Sequence, residues 1–229
     1  MQRTLVIFDC DGTLVDSQHA IVTSMEHAYT TVGLPCPSRA QILSIVGLSL
    51  PECFAVLSPE QDAATRADLA RLYKEGGVWA RTGTGAVHDP LFPGARALVA
   101  ALARRDDVVL GVATGKSRRG VARIFEREGW HPHFVTIQTA DDHPSKPHPS
   151  MLMQAMVETG IGPERTVMIG DTSYDMTMAL NAGVAALGVA WGYHAEPLLR
   201  AAGAHQVAAT FDELGGHLER HRGAVEADT

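Results

Sequence analysis

From residue 95 onward, short runs of almost purely apolar residues alternate with amphipathic stretches. The pattern predicts helices over 95–104, 118–128, 149–158 and 174–181, and strands over 108–113, 134–138, 166–169, 184–190 and 206–208. Strands that are apolar along their whole length are buried on both faces, and a helix between successive strands supplies both the crossover and the cover that a parallel sheet needs. The run Thr4 to Phe8, rich in branched and aromatic residues and stopped by Gly12, is a further strand of the same kind. Between it and residue 89 the period turns helical, over 19–31, 39–45, 51–57 and 60–75, with breakers at "GLPCPS" and "EGGVWARTGTG". Strands on both sides of this block belong to one sheet, so the block is an insertion. The expected architecture is α/β: a Rossmann-like parallel sheet core from 1–16 and 89–229, with a small α-helical domain inserted at 17–88. The polar end, "RHRGAVEADT", is expected to fray.

With 229 residues, 45% hydrophobic and 20% charged, the chain can bury a substantial core and has the balance of a soluble globular protein. Its net charge of −7 argues against a general partner in nucleic acid or an anionic membrane. A small anionic substrate is still compatible, because a metal and a few placed lysines reverse the field locally. Cys10, Cys36 and Cys53 are odd in number and lack zinc-like spacing, so reduced thiols in the cytoplasm are expected. No apolar run approaches the roughly 20 residues of a membrane span. The first strand starts within four residues, too early to leave room for a signal peptide. Nothing in the sequence speaks to oligomeric state.

In sheets of this kind ligands bind at the carboxyl ends of the strands. Four polar segments fall there or just beyond: Asp9 and Asp11, "TGKS" at 114–117, "SKPHP" at 145–149 and "GDTSYD" at 170–175. Asp9 and Asp11 are expected on one side of the pleat, close enough to repel, which suggests a metal site or an acid/base pair. The alternative is a strand-to-turn cap, which explains one aspartate better than two. Thr114 offers a hydroxyl and amides at a helix start, suited to a phosphoryl oxygen or simply to helix capping. Only three of the 19 basic residues are lysine, Lys74, Lys116 and Lys146, and two of these fall in strand-end loops. A lysine among arginines suggests that a compact cation is wanted there, although Lys116 also fits a solvated surface position. Asp171 and Asp175 face one pocket if a helix starts near Ser173, and a capping role for Asp171 or Thr172 is the alternative. Asp9, Asp11 and Asp171 together form an oxygen-rich site better suited to Mg²⁺ than to zinc. His131, His133, His143 and His148 lack the spacing of a zinc enzyme and read as solvated or supporting groups.

A carboxylate pair, a hydroxyl, a lysine and further carboxylates specify phosphoryl transfer. In this order, "DCDGT", Thr114, Lys146 in "KPHP" and "GDTSYD" resemble the haloacid dehalogenase-like phosphatase superfamily, and the insertion looks like the α-helical cap of its phosphoglycolate phosphatase and β-phosphoglucomutase subgroup. The resemblance implies that Asp9 attacks phosphorus and becomes an aspartyl phosphate, while Asp11 protonates the leaving oxygen and then activates water. It implies that Thr114 and Lys146 hold the transferring oxygens, with amides of Gly12 and Thr13 turned toward the phosphate and Gly115 and Lys116 beside it. Mg²⁺ would be held by Asp9, the Asp11 backbone carbonyl and Asp171, with Asp175 orienting its water. In the cap loop "IVGLSLPE", Leu50 stands about where mutases and phosphonate-cleaving relatives carry a basic residue, and 40–65 contains no lysine or arginine. Hydrolysis of a small phosphorylated metabolite, phosphoglycolate-like, is therefore favoured over a mutase or a non-catalytic binding module. Ser49 is a neutral candidate contact or the N-cap of the next helix, and any cation for a second charge must come from Arg39, Arg66 or Lys74.

Overall fold

The computed structural model describes residues 3–82 and 89–227. Strands β1 (Thr4–Phe8), β2 (Val108–Thr114), β3 (Phe134–Thr139), β4 (Thr166–Gly170), β5 (Ala185–Val189) and β6 (Gln206–Ala208) form one sheet in the order β3-β2-β1-β4-β5-β6. Every neighbouring pair is parallel. The helices are α1 (Gln18–Val32), α2 (Arg39–Ser44), α3 (Leu50–Leu57), α4 (Ala63–Thr82), α5 (Ala95–Ala103), α6 (Arg118–Glu128), α7 (Ser150–Thr159), α8 (Ser173–Asn181), α9 (Glu196–Ala201) and α10 (Phe211–Ala227).

The pleat of β1 sorts its side chains between two cores. Val6 and Phe8 join Val99 of α5, Phe125 of α6 and Leu214 of α10 on one face. Leu5 and Ile7 join Leu152 of α7, Met176 of α8 and Leu199 of α9 on the other. From β1 the chain builds β2 and β3 to one side, then returns to build β4, β5 and β6 on the other. Connections therefore diverge beside the carboxyl end of β1, and this opens the crevice that such sheets use for ligands.

Helices α1 to α4 enclose a separate apolar cluster of Ile21, Met25, Tyr29, Ile42, Phe54 and Leu69, with Tyr193 of the sheet domain packed against its edge. The expected end of the insertion at residue 88 lies outside the described residues. Three expectations are corrected. α4 runs on to Thr82 through Gly76 and Gly77, because close packing on α1 needs a residue without a side chain: a Cβ at Gly76 would stand 3.0 Å from His27 Cβ. α9 was not anticipated. α10 takes up most of the tail expected to fray, since Phe211, Leu214 and Leu218 are buried on the sheet. Arg222 pairs with Asp107, and Arg105 Nη1 lies 2.6 Å from Glu219 Oε1, tying α10 to the start of β2.

Candidate active site

Asp9 follows β1 directly, and its amide continues the ladder by donating to Ile169 O of β4 at 2.9 Å. Its side chain is buried, with Oδ1 accepting from Cys10 N at 2.6 Å. Oδ2 is buried without an aligned hydrogen bond, 3.0 Å from Lys146 Nζ. Lys146 Nζ also donates to Asp175 Oδ1 at 2.6 Å. Burial alone would lower the pKa of this ammonium; Asp175 and Asp9 more than reverse that, so the lysine stays charged.

Asp171, the first residue after β4, accepts from Thr13 Oγ1 at 2.9 Å and from Tyr193 N at 2.8 Å. Gly12, at φ +84, lets the chain turn against this carboxylate, and a Cβ there would meet Asp171 Oδ2 at 2.2 Å. α8 does begin at Ser173, with Thr172 as its N-cap. Thr172 N donates to Asp175 Oδ2 at 3.0 Å while Asp175 N reaches back to Thr172 Oγ1 at 3.4 Å, a reciprocal cap that fixes the Asp175 side chain. Capping therefore falls to Thr172 and Asp175, and Asp171 is left to the crevice.

Asp9, Asp171 and Asp175 each offer an oxygen within 4.8 Å of the others. Three buried carboxylates against one buried ammonium leave two negative charges in excess, and the titration behaviour reflects it. Burial pushes Asp9 up to about 6, with Lys146 opposing and Asp175 adding to the rise. Burial, then Asp175 and Asp9, holds Asp171 well above the usual carboxylate range. Three carboxylates gathered this closely, with two negative charges in excess, offer an all-oxygen donor set that fits a hard divalent cation.

Asp11 departs from the expectation of a repelling pair. The pleat ends at Phe8 and the chain turns at Gly12, so its carboxylate points elsewhere: Lys116 Nζ donates to Asp11 Oδ1 at 2.7 Å, and Ser17 Oγ donates to the same oxygen. The carboxylate that crowds Asp9 is Asp175, and the Asp11 side chain stands outside the carboxylate cluster. The amides of Gly12 and Thr13 are also redirected, donating within the turn to Val15 O at 2.8 Å and Cys10 O at 3.3 Å. Thr13 acts instead through its hydroxyl on Asp171.

Thr114 ends β2 fully buried, its hydroxyl accepting from Lys116 N at 3.2 Å. The N-cap of α6 is Ser117, so Thr114 is free of capping. Lys116 is mostly buried, and it lies across α6 at Gly120, where a Cβ would come within 2.8 Å of Lys116 Cγ. Gly115 meets the insertion: a Cβ there would stand 2.6 Å from Gly47 O and 2.7 Å from Leu48 O. Ser49 occupies the N-cap position of α3 without a side-chain cap bond, and its amide donates to Ser145 Oγ at 2.8 Å. Tyr174 OH donates to Ser44 O at 3.2 Å, and His194, whose Nδ1 accepts from Ser173 N, donates from Nε2 to the same carbonyl at 3.0 Å. The loop 44–49 is thus closed down on the sheet edge. Beneath it lies a cavity of about 610 Å³ lined by Asp9, Asp11, Thr114, Lys116, Ser49 and Lys74, among others. Of the three cations weighed for a second charge, only Lys74 lines it. Tyr193 and His194 had no signal in the sequence, because each acts through a partner distant in the chain. Ser145 lies in a segment the sequence singled out, but its partner Ser49 is 96 residues away, and Ser17 reaches Asp11 only through the turn between them.

A switch-point crevice with a buried carboxylate cluster and lysine under a helical insertion defines a class of hydrolase core. The haloacid dehalogenase-like hydrolase model matches residues 6–189, and the chain belongs to that family. It is 35% identical over 219 residues to a protein named "Probable phosphatase IndB" from Dickeya dadantii, covering 93% of each chain. It is 29% identical over 206 residues to a phosphoglycolate phosphatase of Vibrio cholerae, covering 86% of this chain and 89% of that one. A hydrolase from Pseudomonas syringae superposes with a TM-score of 0.83 at 24% identity, over 95% of this chain and 99% of the other, which establishes the shared fold.

Proposed function

We propose that this hydrolase is a Mg²⁺-dependent phosphatase that cleaves a small phosphomonoester through an aspartyl phosphate. One observation carries the proposal: Asp9 is buried directly after β1, and among the described residues its Oδ2 meets no donor other than Lys146 Nζ at 3.0 Å, which sets a carboxylate nucleophile beside the cation that receives the phosphoryl oxygens. The Asp9 carboxylate attacks phosphorus as the bond to the ester oxygen breaks, and Asp11 gives that oxygen its proton. Water then attacks the phosphorus of the acyl phosphate, Asp11 takes up a proton, and Asp9 is regenerated with release of alcohol and inorganic phosphate. Asp11 can do both because it stands at the rim, 13% exposed and outside the carboxylate cluster. Lys146 and Thr114 hold the transferring oxygens, and the closed loop 44–49 excludes water during the first step. Asp9, Asp171 and Asp175 would hold Mg²⁺, which when bound neutralises the excess negative charge an incoming phosphoryl group would otherwise meet.

The relatives named as phosphatases support this reading, and phosphoglycolate-like esters are the first substrates to try. The absence of any basic residue in 40–65 favours hydrolysis over a mutase. The first assay is phosphate release with Mg²⁺ and with chelator, on wild type and Asp9→Asn. The variant should lose at least about 10³-fold in kcat with an unchanged far-ultraviolet circular dichroism spectrum. Retained turnover would remove Asp9 as the nucleophile, and isomer interconversion without phosphate release would indicate a mutase.

A further inference from the structure

In the crevice each lysine has a carboxylate: Lys146 holds Asp9 and Asp175, and Lys116 holds Asp11. The cavity above carries further cations with no part in that chemistry. Arg119, Gly120 and Arg123 line it, three and four apart on one face of α6. Lys74 and Gly77 of α4 line it from the insertion. Among the described residues, Lys74 and Arg119 have no hydrogen-bond or ion-pair partner. Asp89 and Asp141 line the same cavity, and the Asp141 carboxylate accepts Arg118 N at 2.8 Å at the start of α6. Arg123 and Asp89 each already have a partner, which leaves Lys74 and Arg119 against Asp141 on this part of the wall, whereas the covering loop 45–51 is uncharged. All three lysines of an arginine-rich chain thus gather at one crevice, two lining its cavity and one beneath it.

We propose that Lys74 and Arg119 receive a second anionic group carried by the leaving alcohol, a carboxylate or a second phosphate. The substrate class is then a phosphomonoester whose alcohol is itself anionic, an assignment that rests on the phosphatase reading above. Arg119 stands in the first turn of α6, next to Gly120, and Lys116, which holds Asp11, lies across the helix there. The cluster thus lies on the leaving-group side of the reacting phosphorus, where it discriminates between esters without taking part in bond cleavage.

The test compares kcat/KM on esters paired by charge: 3-phosphoglycerate against glycerol 3-phosphate, and propanediol bisphosphate against hydroxypropyl phosphate. At least one anionic member should exceed its neutral partner tenfold or more, and which one does so distinguishes carboxylate from phosphate. In the double variant Lys74→Ala/Arg119→Ala that preference should fall within threefold, while Arg119→Lys should keep part of it. Equal use of both members by wild type, or a preference unchanged in the double variant, overturns the proposal. If no ester is turned over, the phosphatase reading fails by itself. Isothermal titration with 3-phosphonopropionate and propane-1,3-bisphosphonate, each against propylphosphonate, then decides the cluster: tenfold tighter binding of either, lost in the double variant, supports it, and equal binding of all three overturns it.

Discussion

The Asp9–Lys146 and Asp11–Lys116 pairs stand at the same sheet edge, in physically different surroundings. At the floor, Lys146 and Asp9 are 0% and 1% exposed, and the lysine is shared with Asp175. At the rim, Lys116 and Asp11 are 17% and 13% exposed, with Ser17 as an added donor. A buried charge that loses its partner has no water to turn to, whereas a rim charge has. The floor pair is therefore a fixed electrostatic frame, whereas the proposed mechanism asks the rim pair to part and reform as a proton moves. Lys146→Ala should therefore destabilise the protein by about 3–5 kcal/mol, and Lys116→Ala by clearly less, because Asp11 keeps Ser17 as a donor and some access to water. Urea unfolding of both variants measures this directly, and equal losses would erase the distinction between floor and rim.

A cation should sharpen it further. Asp9 is held at about 6 in the folded protein against an ordinary 3.8, so the native state binds this proton more tightly than the unfolded chain does. That contribution to stability is present below pH 4 and is lost as pH rises through about 6. Asp171 is raised in the same direction. Mg²⁺ needs the deprotonated carboxylates and should stabilise most where the protons have gone. At a hundredfold excess over its Kd, the gain is about 2.7 kcal/mol. Differential scanning calorimetry should show a Tm increase on adding Mg²⁺ that is clearly larger at pH 7.5 than at pH 5. An increase independent of pH would place the ion away from the floor.

The same contrast governs what could be read in advance. Asp9, Lys146 and Asp171 were candidates on sequence because they fall at or just beyond strand ends, and the parallel sheet is what brings them to one crevice. The partner of Asp11 was hidden. Lys116 lies 105 residues away, and their meeting depends on the turn at Gly12 and the space above Gly120. Arg119 and Arg123 look like ordinary charges on an amphipathic helix until α4 is set against them. α10 was missed for a related reason: three apolar residues in a polar stretch become a signal only when the sheet they cover is known.

The rim should also respond where the floor does not. Gly115 leaves room for the carbonyls of Gly47 and Leu48, which are backbone atoms and cannot swing aside. Gly115→Ala should hold the insertion loop off the sheet edge and lower kcat/KM by about 10- to 100-fold, or about 1.4–2.7 kcal/mol, with thermal stability nearly unchanged. If kcat/KM keeps its wild-type value, loop 44–49 need not close so far for turnover.

Gly120 offers the finest separation of the two regions. A glycine inside a helix costs about 1 kcal/mol relative to alanine, and the one in α6 makes room for Lys116 to lie across the helix toward Asp11. The obstacle to an added methyl is the lysine side chain, with Cγ 2.8 Å and Cε 3.1 Å from the new Cβ. Backbone therefore need not move. Gly120→Ala should recover part of the helix propensity, a gain of up to about 1 kcal/mol, while displacing Lys116 and lowering turnover several-fold. Unfolding and steady-state kinetics on one variant would then move in opposite directions. A variant both more stable and fully active would mean that the Lys116–Asp11 contact is not needed in the catalytic cycle, leaving the floor to set the rate unaided.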